Sequence, residues 1–139
     1  MDKKPKILLV DDEPDVLSMT KMRLASAGYE VITAEEGVMA YNMAKSEAPD
    51  LIILDVMLPG MDGYHICRLL KFDQKYRSIP IIMLTARGQK EDQELGVKVG
   101  ADCYMVKPFE PKEFLDKIKE LLNRGDAETR RELTAVGEG

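Results

Sequence analysis

Five short apolar runs constrain what this chain can fold into: "ILLV" from Ile7, "YEVITA" from Tyr29, "LIILD" from Leu51, "IIMLT" from Ile81 and "CYMV" from Cys103. Four of them are nearly continuous rather than alternating. A strand that is apolar on both faces is buried on both faces, which is how strands of a parallel sheet covered by helices read. The runs recur at intervals of roughly 20 to 30 residues, leaving room for one crossover helix after each strand. The expected fold class is α/β, a doubly wound five-stranded parallel sheet with five helices.

The helices are legible between the runs. Pro14 and Asp15 open the first, Leu17, Leu24 and Ala27 give it an apolar face, and Gly28 stands where a left-handed C-cap would end it. Ala40 and Ala44 mark the second. Asp62 is a natural N-cap for the third, which carries Ile66, Leu69 and Leu70 inward. The fourth is expected at about Gln89 to Val99, around Gly96. Pro111 suits the first turn of the last helix, whose inward face is Phe114, Ile118, Leu121 and Leu122. That pattern stops at Gly125. Residues 1–124 therefore read as one domain, and "GDAETRRELTAVGEG", polar and small, as a flexible tail or the start of a linker.

At 139 residues with 45% apolar side chains the chain can fill a single core. Its net charge of -5 opposes a broad electrostatic footprint on nucleic acid or anionic lipid. No run approaches membrane-spanning length, and "ILLV" meets Asp11 and Asp12 long before a signal-peptide core could form. Cys67 and Cys103 belong to no metal-ligand spacing and read as reduced, largely buried thiols. A cytoplasmic protein is expected.

In open parallel sheets, ligands bind beyond the carboxyl ends of the strands where strand order reverses. Polar residues fall there. The first run ends in Asp11 and Asp12, the third in Asp55, the fourth in Thr85, and the fifth is followed by Lys107. Only the second lacks such a residue, as strand order 2-1-3-4-5 predicts, because the second strand would then be an edge. Three carboxylates in one crevice repel one another until their pKa values rise or a cation neutralises them. Lys107 offsets one charge. Ligation by a few carboxylate oxygens, with room for water and a phosphate, favours magnesium. Asp55, held at the end of a buried strand while Pro59 and Gly60 turn the chain away, suits a phosphoryl acceptor that forms an aspartyl phosphate.

"VDDE" after the first strand, "LDVMLPGMDG" after the third, "LTA" after the fourth and "ADCYMVKPF" around the fifth together resemble the receiver domain of two-component response regulators, a flavodoxin-like (βα)5 fold, from about Lys6 to Arg124. The resemblance implies that Asp55 accepts a phosphoryl group from a phosphohistidine on a sensor histidine kinase or phosphotransfer protein. It implies that Asp12, Asp55 and the backbone carbonyl of Met57 bind magnesium, with Asp11 acting through water, and that Lys107 pairs with a phosphoryl oxygen. Thr85 and Tyr104 would form the switch, altering a partner-binding face made by the fourth helix, fifth strand and last helix. The resemblance also implies a cis bond before Pro108. Such a protein is a phosphoacceptor that promotes its own phosphotransfer and slow autodephosphorylation, rather than an enzyme with a separate substrate. It would be a monomer or a weak phosphorylation-dependent dimer. Met57 and Arg87 would flank the mouth where hydrolytic water enters.

Two other chemistries fit less well. An FMN binder would need phosphate-cradling Ser, Thr and Gly donors where this chain has "DDEPD". A magnesium-dependent phosphatase of the aspartyl type places a second acid two residues after the nucleophile, and here that residue is Met57. His65, the single histidine, reads as a surface residue of the third helix. "PKEFLDKIKELLNR" resembles the last helix of receivers that precede a winged-helix DNA-binding domain, so the chain reads either as a stand-alone regulator acting by protein contact, with no direct nucleic-acid binding, or as a fragment of a longer one.

Overall fold

A computed structural model describes residues 4–86 and 100–138, with side chains as far as Arg124. The elements follow in the order β1 (Lys6–Val10), α1 (Pro14–Ser26), β2 (Glu30–Ala34), α2 (Gly37–Ser46), β3 (Leu51–Asp55), α3 (Gly63–Lys71), β4 (Ile81–Thr85), β5 (Cys103–Val106) and α4 (Pro111–Glu138). The helix expected at about Gln89 to Val99 lies outside the described residues. All strand pairs are parallel, in the order β2-β1-β3-β4-β5. This is the expected doubly wound sheet.

The continuous apolar runs are two alternating sets folded into one. Leu8 and Val10 of β1, Ile52 and Leu54 of β3 and Ile81 and Met83 of β4 face α2 and α3, where Ala40, Ala44, Ile66 and Leu70 meet them. Ile7, Leu9, Leu51, Ile53, Ile82 and Leu84 face Leu17 and Leu24 of α1 and Phe114, Ile118 and Leu121 of α4. Every residue of β3 and β4 is buried, whereas the edge strands β2 and β5 are mostly half-buried. Burial of this kind contributes about 25 cal/mol per Å² of apolar surface and carries most of the fold's stability.

Local signals explain two helix ends. Asp62 caps α3 by accepting the His65 backbone N–H at 2.8 Å. Gly28 takes φ 100° just beyond α1, and its N–H donates to the Ala25 carbonyl. Four expectations shift. Ala27 is the exposed C-cap of α1 and not part of its apolar face. Leu69 is 38% exposed, and Cys67 takes the inward position beside Ile66 and Leu70, since one residue rotates a helix by about 100°. Cys103 is half-buried, on an edge strand. The last helix does not stop at Gly125. Its apolar repeat ends there, but Ala, Glu, Arg and Leu dominate the following residues and the helix continues to Glu138.

Candidate functional site

The three buried polar or charged residues among those described are Asp11, Asp55 and Thr85. All stand at the carboxyl ends of neighbouring strands. Asp11 directly follows β1, its N–H still donating to Ala34 of β2, while Asp55 and Thr85 are the last residues of β3 and β4. Polar groups this deep need partners, and no buried side-chain polar atom lacks one among the described residues.

Lys107, the residue after β5, supplies the central contact. Its backbone N–H donates to the Thr85 carbonyl at 2.7 Å, and the Lys107–Pro108 bond is cis. Its ammonium donates to Asp11 Oδ2 at 2.8 Å and to Asp55 Oδ2 at 2.9 Å. The second oxygen of each carboxylate is held by backbone: Glu13 N–H donates to Asp11 Oδ1 at 3.0 Å, and Met57 N–H donates to Asp55 Oδ1 at 2.9 Å. The acid at the end of β3 is therefore fixed at both oxygens.

Asp12 is exposed beside this pair, and one carboxylate oxygen from each of Asp11, Asp12 and Asp55 lies within 4.8 Å of the others. Three carboxylates against Lys107 leave two excess negative charges if all are ionised. Burial pushes the Asp55 carboxyl above the ordinary carboxylate range; the hydrogen bonds from Lys107 and Met57 oppose that rise, and the charge of Asp11 adds to it. For Lys107, burial works against the charge, but the hydrogen bonds and charges of Asp11 and Asp55 prevail and hold the ammonium above the usual lysine value. Hard oxygen donors with surplus negative charge suit a divalent cation such as magnesium.

Thr85 and Tyr104 share a sheet face. Met83 pairs with Tyr104 in register, Thr85 lies two residues beyond Met83, and Tyr104 is half-buried against the α2 and α3 side of the core. Met57 is exposed at the rim, and Arg87 lies outside the described residues. His65 is exposed on α3. Burial raises the Cys67 thiol to about 12, which makes it an inert core residue.

The sequence left two kinds of contributor unread, backbone donors and a close-packed glycine. The backbone donors of Glu13 and Met57 carry no residue-type signal. Gly63 starts α3 against the end of β3, so that a Cβ there would run into the Asp55 carbonyl and come within 3.0 Å of the Val56 Cα. A glycine just after a predicted N-cap was the available hint.

Residues 7–119 match the response regulator receiver domain family. The chain is 46% identical over 121 residues to the alkaline phosphatase synthesis transcriptional regulatory protein PhoP of Bacillus subtilis (strain 168), covering 87% of this chain and 50% of that protein. It thus spans about half the length of the curated relatives it matches. Among solved structures, a CheY-like response regulator receiver domain protein from Methanospirillum hungatei superposes with a TM-score of 0.85 at 31% identity, covering 91% of this chain and 99% of that one. The receiver domain of a sensor histidine kinase from Pseudomonas aeruginosa, with a magnesium ion coordinated in its active site cleft, superposes with a TM-score of 0.81 at 31% identity over 87% of this chain and 99% of that one.

Proposed function

The chain belongs to the response regulator receiver family, and from that premise we propose that Asp55 accepts a phosphoryl group from a phosphohistidine protein and that the modification switches a partner-binding face. The observation that carries this reading is the carboxylate of Asp55, buried at the end of β3 and held at one oxygen by Lys107 and at the other by Met57 N–H. A carboxylate oxygen of Asp55 attacks the phosphorus, the bond to the donor imidazole nitrogen breaks with its electron pair staying on nitrogen, and an acyl phosphate results. Lys107 then pairs with a phosphoryl oxygen as a point charge. Asp12, Asp55 and the Met57 carbonyl would hold magnesium, with Asp11 acting through water. The ion supplies charge neutralisation for the incoming phosphoryl group. Positioning and electrostatics carry the reaction, and the same site slowly releases the phosphate to water.

Thr85 and Tyr104 form the switch in this reading, and the responding face includes β5 and α4. In the same reading the regulator is cytoplasmic and acts as a monomer or a weak phosphorylation-dependent dimer; among the described residues no helix is long and apolar enough to cross a membrane. The receiver unit ends near Arg124, and the segment from Gly125 onward serves as its tail or linker. A second reading, a receiver that is part of a longer DNA-binding regulator, is favoured by the half-length coverage of a transcriptional regulatory relative.

The test is intact mass after incubation with a small phosphodonor. A gain of one phosphoryl mass that requires both magnesium and Asp55, and is lost in Asp55→Ala, supports the reading. No gain in the native chain with two chemically different donors would sink it.

A further inference from the structure

We propose that Gly37 is a positioning residue for the acceptor site: by letting α2 start directly against the backbone of the turn at 59–61, it sets where that loop holds Met57 beside Asp55. The inference rests on the acceptor reading above. The first amides of a helix have no partner within it, and Glu36, the N-cap of α2, makes no side-chain capping bond. The Gly37 N–H instead donates to the Pro59 carbonyl at 3.2 Å. A Cβ at position 37 would run into the Met61 carbonyl oxygen and come within 2.6 Å of the carbonyl carbon and 2.7 Å of the Met61 Cβ. Gly37 has no left-handed φ, so the requirement there is space. Gly60, in the same turn, is the opposite case: its φ is 78° and a Cβ would meet nothing within 4 Å.

The loop has little slack to absorb a side chain at 37. At its start Val56 N–H donates to the Leu84 carbonyl, and at its end Gly63 N–H donates to the Val56 carbonyl. Leu58 and Met61 pack on the core between these anchors. On the other side, α2 is seated by the buried Ala40 and Ala44. Displacement of the turn therefore passes to Met57, whose N–H holds Asp55 Oδ1. Misplacement of a polar partner by a fraction of its contact distance is enough to lose most of its effect.

The test compares Gly37→Ala with Ala40→Gly, which weakens the same helix without adding a side chain beside the loop. Magnesium affinity is read by calorimetry and the Met57 amide by nitrogen-15 NMR, both on the unphosphorylated chain. Gly37→Ala should move the Met57 resonance and weaken magnesium binding about tenfold, while Ala40→Gly lowers the melting temperature and keeps affinity within about twofold of native. Equal affinity in Gly37→Ala and the native chain, with an unmoved Met57 amide, overturns the positioning role alone. Equal weakening by both variants assigns the effect to helix stability and also overturns it. A native chain that binds no magnesium overturns the acceptor reading together with this one. Native-state hydrogen exchange adds a measurement that no folding defect can spoil: if loop position and ion binding are coupled, magnesium must slow exchange of the Gly37 amide, and an unchanged rate refutes the coupling.

Discussion

A lysine is drawn onto aspartate at both ends of the sheet, but the two clusters are built to opposite specifications. At the end where the strands begin, Lys71 Nζ meets Asp102 Oδ2 at 2.6 Å, the Ile79 carbonyl at 2.7 Å and the Arg77 carbonyl at 3.1 Å, which occupies all three ammonium protons. Asp102 also accepts the Ile81 N–H at 2.8 Å and faces Arg124 at 3.4 Å. That cluster ties α3, β4, β5 and α4 together, with backbone as half of its partners. At the carboxyl rim, Lys107 faces three carboxylates, one of them exposed, and negative charge is in excess. A polar cluster that only holds a fold is closed, whereas one that receives a ligand keeps unbalanced charge at an opening.

Separating the two ends by mutation should break or sharpen this contrast. The largest effect is expected at the closed cluster. Asp102→Ala strips a partner from the nearly buried Lys71 and from the Ile81 N–H, so denaturant titration should show a loss of about 2–4 kcal/mol. Magnesium affinity should stay within about twofold of native, and a larger change would mean that the two ends are not independent.

At the open cluster, Met57 is 61% exposed, and in the proposed reading its side chain would obstruct water without orienting it. Met57→Asn should shorten the life of the phosphorylated form about tenfold, a barrier change of about 1.4 kcal/mol; a decay time equal to native refutes that role.

Next in size is Asp55→Asn, predicted to stabilise the metal-free protein at neutral pH by about 0.5–2 kcal/mol. The sign follows from burial. Because the folded state raises the Asp55 pKa above its ordinary 3.8, in the pH window between the two values the folded form retains a proton that the unfolded form has released. Stability due to this group therefore falls as pH rises through that window and stays low above it. The advantage of Asn should shrink as pH drops towards 3.8. A melting-temperature difference that is independent of pH would contradict the assignment.

The smallest effect concerns a strained turn near the closed end. Ala48 has φ 46° and precedes Pro49, so Ala48→Gly should add about 0.5–1 kcal/mol without touching the rim. A melting curve decides it, and a loss of stability would mean the turn is held by contacts of the Ala48 methyl.

The contrast also explains what could be read in advance. Asp11, Asp55, Thr85 and Lys107 were legible because a doubly buried strand tolerates no polar residue until it ends, so each polar residue marks a strand's carboxyl end. Strand order followed from the same residues. Leu69 and Ala27 were misread because a helix face drawn from spacing alone is uncertain by one residue, enough to turn a side chain from core to solvent. Lys71 with Asp102, and Gly37 with the turn at Pro59 and Met61, were invisible for a different reason. Those contacts join segments distant in sequence, and neither a lysine nor a glycine advertises which segment will approach it. Helix beyond Gly125 rests on propensity without apolar period, so its sequence carries no inward face to read.

The most direct test of the contrast is a calorimetric magnesium titration of the native chain, Asp55→Ala and Asp102→Ala in parallel. The account predicts a single site in the native chain, lost in Asp55→Ala and retained in Asp102→Ala. Binding that survives loss of Asp55, or that disappears with Asp102, would contradict it.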